Sequence, residues 1–154
     1  MSRSPFRRWL ARPVVTSLVF TLSTAALLAA NVKIEAKLIW ATDEAKSPDA
    51  NHTPVDAATA ERLRKAFKWK NYFVVKTVVK DIPSRGSVPF ELSKKCTVEI
   101  RELEGPKVEV MLIGEGKPVH RAIKPLNKGE SFVYSGDDKN QTAWFVLITE
   151  LEQK

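Results

Sequence analysis

The chain changes hydrophobic period twice. Val32-Lys33-Ile34-Glu35-Ala36-Lys37-Leu38-Ile39-Trp40 alternates almost without fault, which predicts a strand with Val32, Ile34, Ala36, Leu38 and Trp40 on a buried face and Lys33, Glu35 and Lys37 toward solvent. From Thr42 to His52 the residues are polar and aperiodic, with Pro48 among them, and read as a surface loop. A helical period follows over residues 54–67. Thr53 is the expected N-cap, Pro54 the first helical residue, and Asp56 lies near the positive end of the helix dipole. Val55, Thr59, Leu63, Ala66 and Phe67 would share the inner face, and Glu61, Arg64 and Lys65 the outer one.

The period returns to two after Trp69, and breakers cut the chain into short runs: Tyr72 to Lys80, Ser87 to Leu92, Cys96 to Leu103, Lys107 to Ile113, Val119 to Ile123, Ser131 to Tyr134 and Thr142 to Thr149. Pro83-Ser84-Arg85-Gly86, Glu104-Gly105-Pro106, Gly114-Glu115-Gly116-Lys117 and Asn127-Lys128-Gly129 mark turns between them. With the first strand this makes about eight strands and one helix. The expected fold is mainly β, a single small sandwich or partly open barrel with the helix packed on it through Val55, Leu63 and Phe67.

Residues 1–30 have a different pattern. A cationic stretch ending at Arg12 precedes a run from Pro13 to Ala30 that has neither acid nor base, the order of charge and apolarity found in a signal sequence. At 18 residues the run also reaches the lower edge of membrane-spanning length, although five Ser and Thr residues dilute it. Cutting after Ala29 or Ala30 would put Leu27 or Leu28 at the −3 position, where a small residue is wanted, so an uncleaved anchor with membrane contact through residues 1–30 stays open beside a cleaved signal. Either reading expects an exported protein, in the periplasm or cell envelope. Residues 31–154 would be one mostly β domain, since 154 residues give room for a single ordinary core.

Composition adjusts the picture in two places. The formal charge of +7 falls to +3 once Arg3, Arg7, Arg8 and Arg12 are set aside, which disfavours nucleic acid as partner. Cys96 is the single cysteine, so no intramolecular disulfide is possible; in phase with Val98 and Ile100, it reads as a small buried hydrophobe.

Catalytic signatures are missing. The two histidines, His52 and His120, fall in a loop and a strand with no zinc spacing around them. Asp137-Asp138-Lys139-Asn140-Gln141 has neither the glycine nor the closing glutamate of a calcium loop and reads as a solvated turn. Gly114-Glu115-Gly116-Lys117 lacks phosphate-loop spacing, and no serine sits in a G-x-S-x-G elbow. No enzyme, metal or cofactor is expected.

Charge is distributed unevenly. Residues 62–95 contain ten basic residues against only Asp81 and Glu91, and aromatic residues interleave in Lys68-Trp69-Lys70-Asn71-Tyr72-Phe73. Arg64, Lys65, Lys68, Trp69 and Lys70 form the candidate surface for an anionic envelope polymer, an anionic lipid or an acidic protein; the bland alternative is a solvated helix face and strand rim, with the aromatics in the core. Trp69, if exposed, would add stacking on a sugar or base, whereas Trp40 and Trp144, in phase with apolar neighbours, are expected in the core.

Val32 to Ile39, Leu63 to Phe67 leading into Trp69-Lys70-Asn71-Tyr72-Phe73, Leu126 to Ser131, Gly136 and Ala143 to Ile148 together resemble a family of small exported bacterial β-proteins with no assigned activity. The resemblance covers most of the chain after residue 30 and implies no functional residues. The first and last of these segments are also similar to the edges of the secretin core domain, which begins near V-x-V-E-A and closes with a glycine-marked hairpin and an apolar strand. Gly136 has no second glycine beside it and the chain is too short for the other secretin parts, so no pore is implied. The function expected from the whole sequence is a non-enzymatic binding or structural module of the envelope. An accessory component of an export apparatus is the alternative, and a hydrolase with an unrecognised site comes third.

Overall fold

The structure is a computed structural model that describes residues 31–152. The signal or anchor expected in residues 1–30 lies outside the described residues. Nine strands and one helix follow in the order β1 (Val32–Thr42), β2 (Thr53–Pro54), α1 (Ala57–Ala66), β3 (Asn71–Ile82), β4 (Ser87–Ser93), β5 (Cys96–Leu103), β6 (Lys107–Gly114), β7 (Lys117–Pro125), β8 (Ser131–Asp137) and β9 (Ala143–Glu150). They form a sandwich of two antiparallel sheets, not a closed barrel. One sheet has the order β2-β3-β1-β9-β8 and the other is the meander β4-β5-β6-β7. The chain crosses between sheets after β3, at the turn closed by the Gly86 amide donating to the Pro83 carbonyl, and returns after β7.

Period-two alternation puts one set of side chains between the sheets. Ile34, Ala36, Leu38, Val146 and Ile148 of the first sheet meet Phe90, Leu92, Val98, Ile100, Val108, Val110 and Leu112 of the second. Cys96 packs against this core but is only half-buried where a buried thiol was expected, and its desolvation pushes the thiol pKa up. The first sheet is covered on its other side too. There α1 and the residues after it close over Ile39, Ala41, Ala143, Phe145 and Leu147, so the central strands β1 and β9 are buried on both faces where the helix lies. That explains the unbroken apolar run Ala143 to Ile148, which a half-solvated strand would not need.

Three sequence expectations are corrected. The helix starts later than predicted, at Ala57, and its N-cap is Asp56, whose side chain accepts from the Thr59 amide. Thr53 and Pro54 instead pair with Val74 and Phe73 as β2, an edge position where a proline without a donor is tolerated. Ala66 is exposed, and Ala60 takes the buried place beside Thr59 and Leu63. Leu63 is buried as predicted, with Val55 and Phe67 packed beside it. The third correction concerns tryptophan. Trp40 and Trp144 are only half-buried, whereas Trp69 is 7% exposed and belongs to the core under the helix.

Candidate functional site

The end of the sandwich at which β1 finishes gathers three connections: the loop between β1 and β2, the short stretch between α1 and β3, and the β8–β9 turn. Four hydrogen bonds bind them together. The Arg64 Nε donates to the Lys70 carbonyl at 2.9 Å, tying the last turn of the helix to the start of β3. The Lys70 amide donates to Asp43 Oδ1 at 3.1 Å and Asn71 Nδ2 donates to the Glu44 carbonyl at 2.9 Å, which fixes the first loop on one side. On the other side Trp69 Nε1 donates to the Gln141 carbonyl at 3.0 Å.

Trp69 is held by packing as well as by that bond. Its ring lies edge-on to Phe145, 5.8 Å between centroids, and Phe67 and Tyr72 meet the same ring at 4.6 Å and 5.7 Å. An indole can be buried this way only if its N–H finds an acceptor, and Gln141 supplies one. Trp69 therefore leaves the candidate surface as a stacking platform. It still supports that surface, because the Lys68 Nζ sits over its ring at 4.9 Å from the centroid.

The fold divides the basic stretch of residues 62–95. Lys80 donates from its ammonium to the Pro89 carbonyl, Arg85 pairs with Glu104, and Lys95 pairs with Glu115 at 3.4 Å, so these belong to other parts of the surface. Arg64, Lys65, Lys68 and Lys70 remain together, all exposed, around the helix C-terminus and the chain leading into β3. Lys65 is engaged by Glu61 at 2.8 Å one turn back, an exposed pair of small energetic weight. Among the described residues the ammonium groups of Lys68 and Lys70 have no carboxylate partner.

Round the end of the sheet from this cationic group, on the face opposite α1, lies a cleft of about 730 Å³, walled by the β1–β2 loop and the β8–β9 turn, with Trp40 and Val75 contributed by the sheet. The hollow at the opposite end of the sandwich, by Val32 and Leu126, is about 280 Å³. Only Trp40, Pro48 and Val75 of the larger cleft's lining are apolar. Val75 owes its place to a bulge: Leu38 pairs with Lys76 and Ile39 with Val74, leaving Val75 as the extra residue on β3. The half-buried Trp40 ring is flanked by His52 and Phe73, at 6.3 Å and 6.1 Å. Sequence spacing did not reveal this cleft, because its two walls are aperiodic segments about ninety residues apart.

Both walls are built by local side-chain to backbone bonds. In the first, His52 Nδ1 and Ser47 Oγ share a hydrogen bond of 2.7 Å, and His52 Nε2 faces Asp49 Oδ2 at 3.6 Å. Although this juxtaposes serine, histidine and aspartate, the last distance exceeds a hydrogen bond and Ser47 Oγ also accepts from the Asp49 amide. The trio is a staple for a short loop, which the Asn51 amide tightens further by donating to Asp49 Oδ1 at 2.9 Å. In the second wall Asn140 and Gln141 adopt φ of 62° and 58°, left-handed backbone that costs side-chain-bearing residues about 1–2 kcal/mol each. The Asp138 amide bonding to the Thr142 carbonyl and the Trp69 bond to Gln141 hold them there.

His120 does not line this cleft; it is exposed on β7 with its ring 5.0 Å from Tyr134. Among the described residues no three His, Cys, Asp or Glu side chains are grouped to hold a metal ion, and no helix is long and apolar enough to cross a membrane. No protein-family model, no curated protein and no solved structure matches this chain.

Proposed function

We propose that this protein is an exported envelope module that binds an anionic macromolecule without catalysing a reaction on it, through the surface carrying Arg64, Lys68 and Lys70. The observation that carries this reading is the bond from Arg64 to the Lys70 carbonyl, which holds cations from a helix end and a strand start together on a rigid base. Clustered like charge is costly to keep and raises the local potential, so it favours a polyanion over a neutral partner. Lys65 lies on the same patch with its charge half-spent on Glu61. Export rests on the charge-then-apolar order of residues 1–30.

The test is titration of the full chain with polyphosphate at 0.1 M and 1 M salt, where the Debye length falls from about 10 Å to about 3 Å. Wild type should bind at low salt and lose most of its affinity at high salt, and an Arg64→Glu, Lys68→Glu, Lys70→Glu variant should not bind at either. Equal binding by variant and wild type would remove this surface from the reading. Fusing residues 1–40 to a reporter active only outside the cytoplasm tests the address, and an inactive reporter would count against export.

A further inference from the structure

The cleft round the sheet end from the cationic patch has a lining suited to a different part of the same ligand. Its floor offers one large flat apolar side chain, Trp40, and its walls offer amides, hydroxyls and carboxylates. A lipid chain or other apolar ligand would cover five charged side chains of the lining without giving them partners. A bare phosphate polymer only accepts hydrogen bonds, so it could meet Lys46 and Lys139 but would leave Asp43, Glu44 and Asp138 without donors. A sugar ring fits both constraints: its C–H face packs on an indole, while its hydroxyls donate to carboxylates and accept from amides. Among the described residues the side chains of Lys46, Lys139 and Asn140 have no hydrogen-bond or ion-pair partner, so they are available to a ligand that brings both hydroxyls and a carboxylate.

We infer that the cleft is a saccharide subsite, with Trp40 as the stacking surface and Lys46, Lys139 and Asn140 as the polar contacts, and that the polyanion bound by the neighbouring patch is a uronate-containing polysaccharide. This rests on the polyanion reading above and adds to it a requirement for sugar rings. The ring seats on Trp40, its carboxylate meets a lysine of the cleft, and further anionic units of the polymer pass round the end of the sheet to Lys68 and Lys70. The site's two parts thereby divide the work: the cleft supplies ring recognition and the patch supplies long-range attraction.

Two polymers separate the parts: polygalacturonate, which has rings and carboxylates, and polyphosphate, which has charge alone. The full chain should bind polygalacturonate at least tenfold more tightly than polyphosphate at equal charge concentration. Trp40→Ala should weaken polygalacturonate at least tenfold and leave polyphosphate within twofold. Asn140→Gly, at a position whose positive φ glycine adopts without strain, keeps the test sound if the tryptophan variant folds poorly; it should weaken polygalacturonate alone. If wild type binds the two polymers equally, or if both variants bind polygalacturonate as wild type does, the saccharide subsite is overturned and the polyanion reading stands. Parallel loss of both polymers in Asn140→Gly also overturns it, because the cleft would then be part of the cationic patch. If wild type binds neither polymer, the polyanion reading fails with it.

Discussion

Single residues decide how the candidate site is held. Asp56 caps α1 by accepting from the Thr59 amide at 2.9 Å, and that bond lowers its carboxyl pKa below the ordinary value. A lowered folded pKa means the carboxylate's contribution is fully present above the unfolded value of about 3.9 and disappears as pH falls through the lower folded one. Asp56→Ala should therefore cost about 1 kcal/mol in urea unfolding at pH 7, and the gap between variant and wild type should shrink below about pH 4. Gly136 stands opposite Trp144 across the β8–β9 pair, and a Cβ there would lie 2.3 Å from the indole ring. Gly136→Ala should destabilise by about 1–3 kcal/mol in the same assay, since the ring has to leave its place. The tryptophans show where residue-level reading failed. Phase with apolar neighbours put Trp40 in the core and a lysine-rich setting left the exposure of Trp69 open, yet burial followed the acceptor offered by Gln141 and the aromatic neighbours around Phe145, which are contacts distant in sequence.

The elements themselves were largely readable, because each strand's alternation and each turn's glycine or proline are local signals. β5 spans Cys96–Leu103 as its period predicted, and the strands around it shift by only a few residues. The start of α1 was misplaced for a physical reason: Thr53 and Pro54 are good residues for a helix start and also acceptable on a sheet edge, and pairing with Val74 and Phe73 decided the matter. The two-sided burial of β1 was hidden by Lys33, Glu35 and Lys37, which occupy only the uncovered half of the outer face; there Lys37 and Glu35 pair at 2.7 Å. The helix is thus a lid on half a sheet, fixed mainly by Leu63. Leu63→Asp places an unpaired carboxylate between α1 and Phe145's layer and should cost about 3 kcal/mol or more, read as a lower urea midpoint. Because Arg64 and Trp69 hang from this packing, the same variant should also loosen the cationic patch.

At the scale of the whole molecule, a mainly β sandwich with one helix follows from period and breakers, whereas its candidate site does not. Half of the site, the cationic run from Arg64 to Lys70, stands in consecutive sequence and was legible as charge. The other half is a cleft between residues 40–52 and 138–142, brought together only by the pairing of β1 with β9. Its walls have no hydrophobic period, so pattern could not foretell that they face each other. Bonds from the Lys70 amide to Asp43 and from the Trp69 indole to Gln141 tie the two halves, which lie on opposite faces of the first sheet, into one surface around its end. Amide chemical-shift mapping of the full chain titrated with polygalacturonate at low salt tests that surface most directly. Shifts concentrated in residues 43–52, 64–71 and 138–142, with the Trp69 indole N–H among them, are the predicted result. Shifts confined to β7 or spread evenly over the outer strands of the meander would contradict it.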